Sequence, residues 1–275
     1  MGIAYFSRNQ TGALPWRPEL VLKTSRGPLS ARLAQDEADV AAAQALRHRV
    51  FHAERGLSGA DTDADRFDPI CDHLLVTDTR DGALVGTYRL LRQEVAEAHG
   101  GFYSQDEYDL RPLLARQRHL RFLELGRSCV LKEYRTKPVI ELLWQAIWDY
   151  VRHHGLDAML GCASFEGTDP DAHAPALAWL ARNHGACEDW RVRALAHRYA
   201  AMDRLPGTDV DDKAALKALP PLIKGYLRLG AQVGDGAVVD HAFNTVDVLI
   251  LLPVERIEPR YFGRFGTPQD SVRTS

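Results

Sequence analysis

Cysteine is scarce in this 275-residue sequence: the four thiols, at positions 71, 129, 162 and 187, are far apart and form no C-x-x-C pair. That spacing argues against a disulfide framework and against a zinc knuckle, and it fits a reducing cytoplasm. No run of about 18 apolar residues occurs, and no basic stretch leads into an apolar one at the start, so neither a membrane span nor a secretory signal is expected. Net charge is nearly absent as well. With 34 basic and 37 acidic residues the balance is -3, too small a field to draw the chain to nucleic acid. There is no internal repeat and no low-complexity tract. What the sequence does have is apolar content of 45%, enough to bury a sizeable core in one large domain or two small ones.

Periodicity divides the chain. Residues 1–28 hold Pro15, Pro18, Gly27 and Pro28 among polar residues and read as an irregular arm. From Asp36, a capping residue, Val40, Ala43, Leu46, Val50 and Phe51 recur at helical spacing towards Gly56, with Arg47 and Phe51 on one face. An acidic loop through Asp61, Asp63, Asp65 and Asp68 leads into a strand at His73, and Asp81-Gly82 makes a hairpin turn into a second strand, Ala83 to Leu91. A third strand is expected from Phe122 to Leu131. A helix then opens at Pro138, with Ile140, Leu143, Trp144, Ile147, Trp148 and Val151 as its apolar positions, and ends at Gly155. A strand at 156–165, a helix at 175–183 and an apolar strand at 246–252 complete a mixed order. Leu219 to Leu229 reads as a core-facing helix, with a membrane-surface helix carrying Lys224 and Arg228 as the alternative.

The chemistry centres on Glu124-Leu-Gly126-Arg127. Strand alternation puts residues 124 and 127 on opposite faces, but a bulge at Gly126 would bring them to one side. Such a pair offers a base for an ammonium and a guanidinium for a carboxylate or oxyanion; a structural ion pair at a sheet edge is the alternative. The acidic residues from Asp61 to Asp72 suit a cationic group or simply a solvated loop, and the ligand order of an EF-hand is absent. His73 and Asp78 have the H-x-x-x-x-D spacing of glycerolipid O-acyltransferases but fall on opposite faces of a strand. His48 and His52 lack the glutamate of H-E-x-x-H, and Ser164 is not in G-x-S-x-G, so neither a metal site nor a hydrolase elbow is expected.

Taken together, Ala45-Leu-Arg-His-Arg-Val-Phe51, Phe67-Asp-Pro-Ile-Cys-Asp-His-Leu-Leu75, Gly86-Thr-Tyr-Arg-Leu-Leu91, Glu124-Leu-Gly-Arg127, Gly161-Cys-Ala-Ser-Phe-Glu-Gly-Thr168 and the segment 219–230 resemble the acyl-carrier-protein-dependent ornithine N-acyltransferases. The resemblance runs from about residue 29 over nearly the whole chain. More distantly, the sequence is similar to the acyl-homoserine-lactone synthases. It implies a GNAT-type mixed α/β fold, with a mostly antiparallel central sheet flanked by helices and a C-terminal extension. The implied domain covers residues 29–260, between the arm and a tail at 261–275.

The implied activity is transfer of a 3-hydroxyacyl group from acyl carrier protein to the α-amine of ornithine, forming lyso-ornithine lipid. The phosphopantetheine thioester would be a substrate, with no bound cofactor or metal. Glu124 and Arg127 would be catalytic, and Arg47, Phe51, Asp65, Asp68 and Arg89 would line or hold the amine pocket, with Arg89 and Arg127 on the amino-acid carboxylate and Asp65 or Asp68 on the side-chain ammonium. Ordinary GNAT enzymes carry a glycine-rich pyrophosphate turn, which Lys132-Glu-Tyr-Arg-Thr-Lys-Pro138 lacks. A single phosphate, or the acidic carrier, would instead meet Arg135, Lys137 and the helix start. Another amine acceptor, and a non-catalytic membrane-active or carrier-binding protein, stand as alternatives. The expected location is the cytoplasm, with peripheral contact at the inner membrane face left open.

Overall fold

A computed structural model describes residues 22–56, 62–205, 207 and 210–257. The chain runs β1 (Lys23–Arg26), β2 (Leu29–Leu33), α1 (Glu37–Phe51), β3 (Asp72–Asp78), β4 (Leu84–Arg92), α2 (Gln93–Ala98), β5 (Tyr108–Asp109), α3 (Arg111–Arg116) and β6 (Phe122–Val130). It continues with α4 (Lys137–His154), β7 (Ala158–Glu166), α5 (Ala174–His184), β8 (Arg193–Ala194), β9 (Tyr199–Ala200), α6 (Asp212–Ala218), α7 (Pro221–Arg228), β10 (Gln232–Asp240) and β11 (Thr245–Pro253). Part of the expected irregular arm is thus ordered: β1 pairs with β2 around Gly27 and extends the sheet edge. Residues 1–21 and the expected tail, 261–275, lie outside the described residues, as does Asp61.

The strand order is β1-β2-β3-β4-β6-β7-β11-β10-β8-β5, with β9 on β10. From β1 to β6 every pairing is antiparallel, and so are β7 with β11 and β11 with β10. Among the described residues, the two halves pair where β6 runs parallel to β7, over Phe122–Glu124 against Ala158–Leu160. One face is covered by α4, whose Val139, Leu142, Leu143, Ala146, Ile147 and Val151 are buried at the period of a helix. Ile140, expected among them, is 43% exposed although it shares the stripe of Leu143, Ile147 and Val151; it lies in the first turn of the helix. Asp36 caps α1 by accepting the Asp39 N–H at 2.9 Å, as its position before the apolar repeat suggested. In α7, Ile223 and Tyr226 are buried, so the core-facing reading of this helix holds. No helix among the described residues is long and apolar enough to cross a membrane.

Just past the parallel ladder the two backbones touch. A Cβ on Gly161 of β7 would collide with the Leu125 carbonyl oxygen of β6, and Gly161 has φ 155. Only a residue without a side chain lets the strands come this close before they part. Gly161→Ala is expected to cost at least about 2 kcal/mol and to lower Tm by about 4–8 °C, measured by thermal melting; an unchanged Tm would show that the strands do not need this contact.

Candidate active site

Where β6 leaves β7, a cavity of about 200 Å³ opens, with Arg89, Glu124, Gly126 and Arg127 on one wall and Asp240 and Asp247 on the other. The expected bulge is present, one residue later than Gly126. Arg89 faces Gly126 and Thr87 faces Cys129, so Arg127 and Ser128 share the place opposite Tyr88. Arg127 itself takes the left-handed turn, at φ 50, a conformation unusual for a residue with a side chain. The extra residue brings Glu124 and Arg127 to the same cavity, although they make no ion pair with each other. A side chain at Gly126 would point at Arg89, whose Nε lies 3.8 Å from a Cβ built there.

The acidic loop folds over three arginines. Arg47, wholly buried on α1, donates from Nε to Asp63 Oδ2 at 2.9 Å, from Nη2 to the Asp63 carbonyl, and from Nη1 and Nη2 to the two oxygens of Asp68 at 2.9 and 2.8 Å. Arg89 Nη1 reaches Asp65 at 2.6 Å and Asp68 at 3.1 Å. Arg127 Nη2 reaches Asp65 at 3.0 Å, and its guanidinium sits between the rings of Tyr103 and Phe243, at 4.9 and 4.5 Å from their centroids. Although burial alone would raise its pKa, the Asp68 carboxyl is held well below the usual range by hydrogen bonds and charge from Arg47, then by the charge of Arg89. Three guanidiniums therefore meet the three carboxylates of Asp63, Asp65 and Asp68. Arg47, Asp65 and Asp68 stand behind the cavity and shape it, whereas Phe51, Arg89 and Arg127 reach its surface. A substrate ammonium at Asp65 or Asp68 would have to displace these arginines.

Glu124 is buried and both of its oxygens are held. Oε2 accepts the Tyr103 N–H and Oε1 the Ser104 N–H, each at 2.8 Å, and Oε1 also accepts the Ser104 hydroxyl. Burial raises its pKa, and these hydrogen bonds oppose the rise. The excursion between β4 and β6 is thereby anchored to β6. From Ser104 the contacts continue through Cys162 Sγ, 3.8 Å away, to Glu107 Oε2, 3.2 Å from the sulfur.

The opposite wall was not anticipated from sequence. Paired residues of β7, β11 and β10 put Ser164, Asp247, Thr245 and Asp240 on one face, and Glu107 hangs over them from the excursion. Burial, with Asp247 next in effect, pushes the Glu107 carboxyl up to about 7. One signal was available: Asp247 is a charge inside Val246-Asp-Val-Leu-Ile-Leu-Leu252, where such residues are rarely buried without a partner.

The remaining candidates lie elsewhere. Arg135 donates from Nη2 to Glu54 at 2.7 Å and from Nε to the Val130 carbonyl at 3.0 Å, and Lys137 is exposed at the start of α4, 3.8 Å from Glu141. His73 Nε2 is 3.0 Å from the Asp68 carbonyl oxygen, while Asp78 binds Arg80 and Tyr134, so the two do not form a unit. His48 and His52 stack on each other at 5.4 Å between ring centroids.

Arg47→Met should destabilise the fold by about 3–5 kcal/mol, because it takes the hydrogen-bonded guanidinium away from two buried carboxylates and leaves each with one counter-charge in place of two. The paired Asp68 stabilises the native chain above the unfolded carboxylate pKa, and this stability is lost as pH falls towards the depressed folded value. The gap between wild type and variant should accordingly be widest above about pH 5 and shrink below about pH 4. Chemical denaturation across this range measures it, and a gap independent of pH would refute the account.

The acetyltransferase (GNAT) domain family matches residues 46–145, from α1 into α4. An L-ornithine N(alpha)-acyltransferase of Brucella abortus (strain 2308) is 54% identical over 251 residues, covering 87% of this chain and 89% of that protein. One of Rhizobium meliloti (strain 1021) is 53% identical over 249 residues, covering 86% and 84%. Among solved structures, FeeM, an N-acyl amino acid synthase from uncultured soil microbes, superposes with a TM-score of 0.50 at 12% identity, over 88% of this chain and 97% of that one, a likeness of fold alone. With more than half of the aligned residues identical along most of both lengths, the chain belongs to the family of L-ornithine N(alpha)-acyltransferases, on a GNAT fold.

Proposed function

We propose that the chain transfers a fatty acyl group, 3-hydroxylated on the closest reading, from the phosphopantetheine thioester of acyl carrier protein to the α-amine of L-ornithine. The observation that carries the reading is the cavity at the strand divergence, where Glu124 and the guanidiniums of Arg89 and Arg127 converge. It suits an amino acid held by its carboxylate while its amine faces a carboxylate base. Family membership supports ornithine as the acceptor.

In this mechanism the α-ammonium gives one proton to Glu124, directly or through water, and the free amine attacks the thioester carbonyl. The tetrahedral intermediate collapses with cleavage of the C–S bond. The nitrogen loses its second proton, and the pantetheine thiolate takes one up. No covalent enzyme intermediate is required. On the donor side, α4 starts at Lys137 with no acidic residue and no side-chain cap in its first turn, which suits the one phosphate of a phosphopantetheine arm near Arg135 and Lys137. Peripheral membrane contact would bring the acylated product to the bilayer, with Lys224 and Arg228 of α7 as its basic groups.

Purified protein incubated with acyl carrier protein and coenzyme A thioesters should release free thiol with ornithine present and yield a product of N-acylornithine mass, the carrier thioester being the better donor. Absence of product with every amine would favour a non-catalytic protein, and acylation of a different amine would replace the acceptor. Glu124→Gln should lower kcat by about 10²–10⁴-fold with folding retained by circular dichroism; near-normal turnover would remove Glu124 as the base.

A further inference from the structure

The carboxylates of Glu107, Asp240 and Asp247 form a buried group that the acyl-transfer step does not use. Their relative exposures are 2%, 7% and 6%, and one oxygen from each lies within 4.8 Å of the others. Unlike the loop aspartates, they have little counter-charge. The guanidinium that approaches them among the described residues is Arg198, 3.8 Å from Glu107 Oε1. Asp240 Oδ1 accepts the N–H groups of Ala242 and Phe243 at 2.8 and 3.2 Å, which holds its side chain in place. Asp247 lies beside the Ser164 and Thr245 hydroxyls, which partly offset its burial, yet its Oδ1 is buried with no hydrogen-bond partner and so is the Thr245 hydroxyl oxygen. A buried carboxylate oxygen with nothing to bind is costly. Here it lies on the wall of the cavity that also holds Arg127 and Glu124.

The cavity is therefore polarised, with guanidiniums at one side and under-neutralised carboxylates at the other. We propose that Asp247, Asp240 and Glu107 are the receptor for a second, terminal ammonium on the acceptor, a specificity site that selects diamino acids over neutral ones. This rests on the reading of the cavity as the acceptor site, in which the terminal group is the δ-ammonium of ornithine. An ammonium has three N–H donors and no acceptor, which matches three converging carboxylates. The arrangement also assigns the loop aspartates and these residues different work: the former fix the arginines, the latter read the side chain. A site built to bind a polar group rejects the analogue lacking that group, because its own polar atoms are then left unpaired.

The test measures binding directly, by calorimetric titration of L-ornithine and of L-norvaline, which has the same carbon chain without the terminal amine. Wild type should bind ornithine about 10–100-fold more tightly than norvaline. Asp247→Asn should remove most of that ratio by weakening ornithine while leaving norvaline affinity and the thermal melt near wild type. Asp240→Asn carries the same expectation and serves if the first variant melts early. Equal affinity for the two amino acids in wild type, or equal loss of both in the folded variants, would overturn the proposal. So would micromolar binding of calcium, magnesium or manganese that Asp247→Asn abolishes and that excludes ornithine, since the cluster would then be a cation site. Acyl transfer is assayed beside the titrations. Selective binding without transfer would sink the catalytic reading alone, and transfer to ornithine and norvaline at equal kcat/KM would sink the specificity site alone.

Discussion

Three residue pairs of parallel sheet, Phe122 to Glu124 against Ala158 to Leu160, join the two halves of the sheet, and the rest of the molecule is organised around where that ladder stops. A parallel pair is held by slanted hydrogen bonds and is somewhat weaker per residue than an antiparallel one. The joint is reinforced by the approach of Gly161 to the Leu125 carbonyl. Beyond it the strands have other obligations: β6 continues along β4, and β7 along β11. The wedge between them becomes a cavity because no third strand fills it.

The two walls reach electrical balance differently. On the β4–β6 side, each arginine has carboxylate partners at hydrogen-bond distance, and every oxygen of Asp68 is used. Such a cluster is a rigid wall, since each carboxylate meets two guanidiniums and removing any member strips its buried partners of part of their counter-charge. On the β11–β10 side, carboxylates crowd one another, and Glu107 is pushed up to about 7 because burial and the charge of Asp247 disfavour its ionised form. Between them, the contacts from Glu124 through Ser104 and Cys162 to Glu107 tie both walls to the same excursion. Movement of that segment would be felt on both sides at once.

Most of the sheet was legible in sequence because its strands alternate and its turns carry the expected residues: Asp81-Gly82 closes the β3–β4 hairpin, with Gly82 at φ 76. The first wall was legible too: helical spacing put Arg47 and Phe51 on one face, the resemblance implied Arg89, and the expected bulge brought Arg127 to the side of Glu124 against strand alternation. The bulge was foreseen, but at Gly126; glycine drew attention to the place, while the neighbour with a long side chain takes the unusual backbone. β10 and the second wall were harder. Gln232-Val-Gly-Asp-Gly-Ala breaks alternation with two glycines, and the register between Val233 and Ala237 shifts accordingly. Glu107 lies in an irregular excursion whose placement depends on hydrogen bonds to Glu124, a long-range contact that no local pattern encodes.

The position of β11 has a consequence for how the chain is assembled. It is the last strand of the described residues, yet it lies in the middle of the sheet, between β7 and β10. Until it is inserted, β7 presents an open edge of apolar residues, the kind of surface on which intermediates of larger proteins stick to one another. During synthesis the arginine wall is complete long before its acidic counterpart, and an N-terminal half released early would carry a half-built cavity beside an unpaired strand. The same strand that supplies Asp247 to the cavity is thus the one that closes the sheet against aggregation, so completion of the cavity and protection from misassembly arrive together.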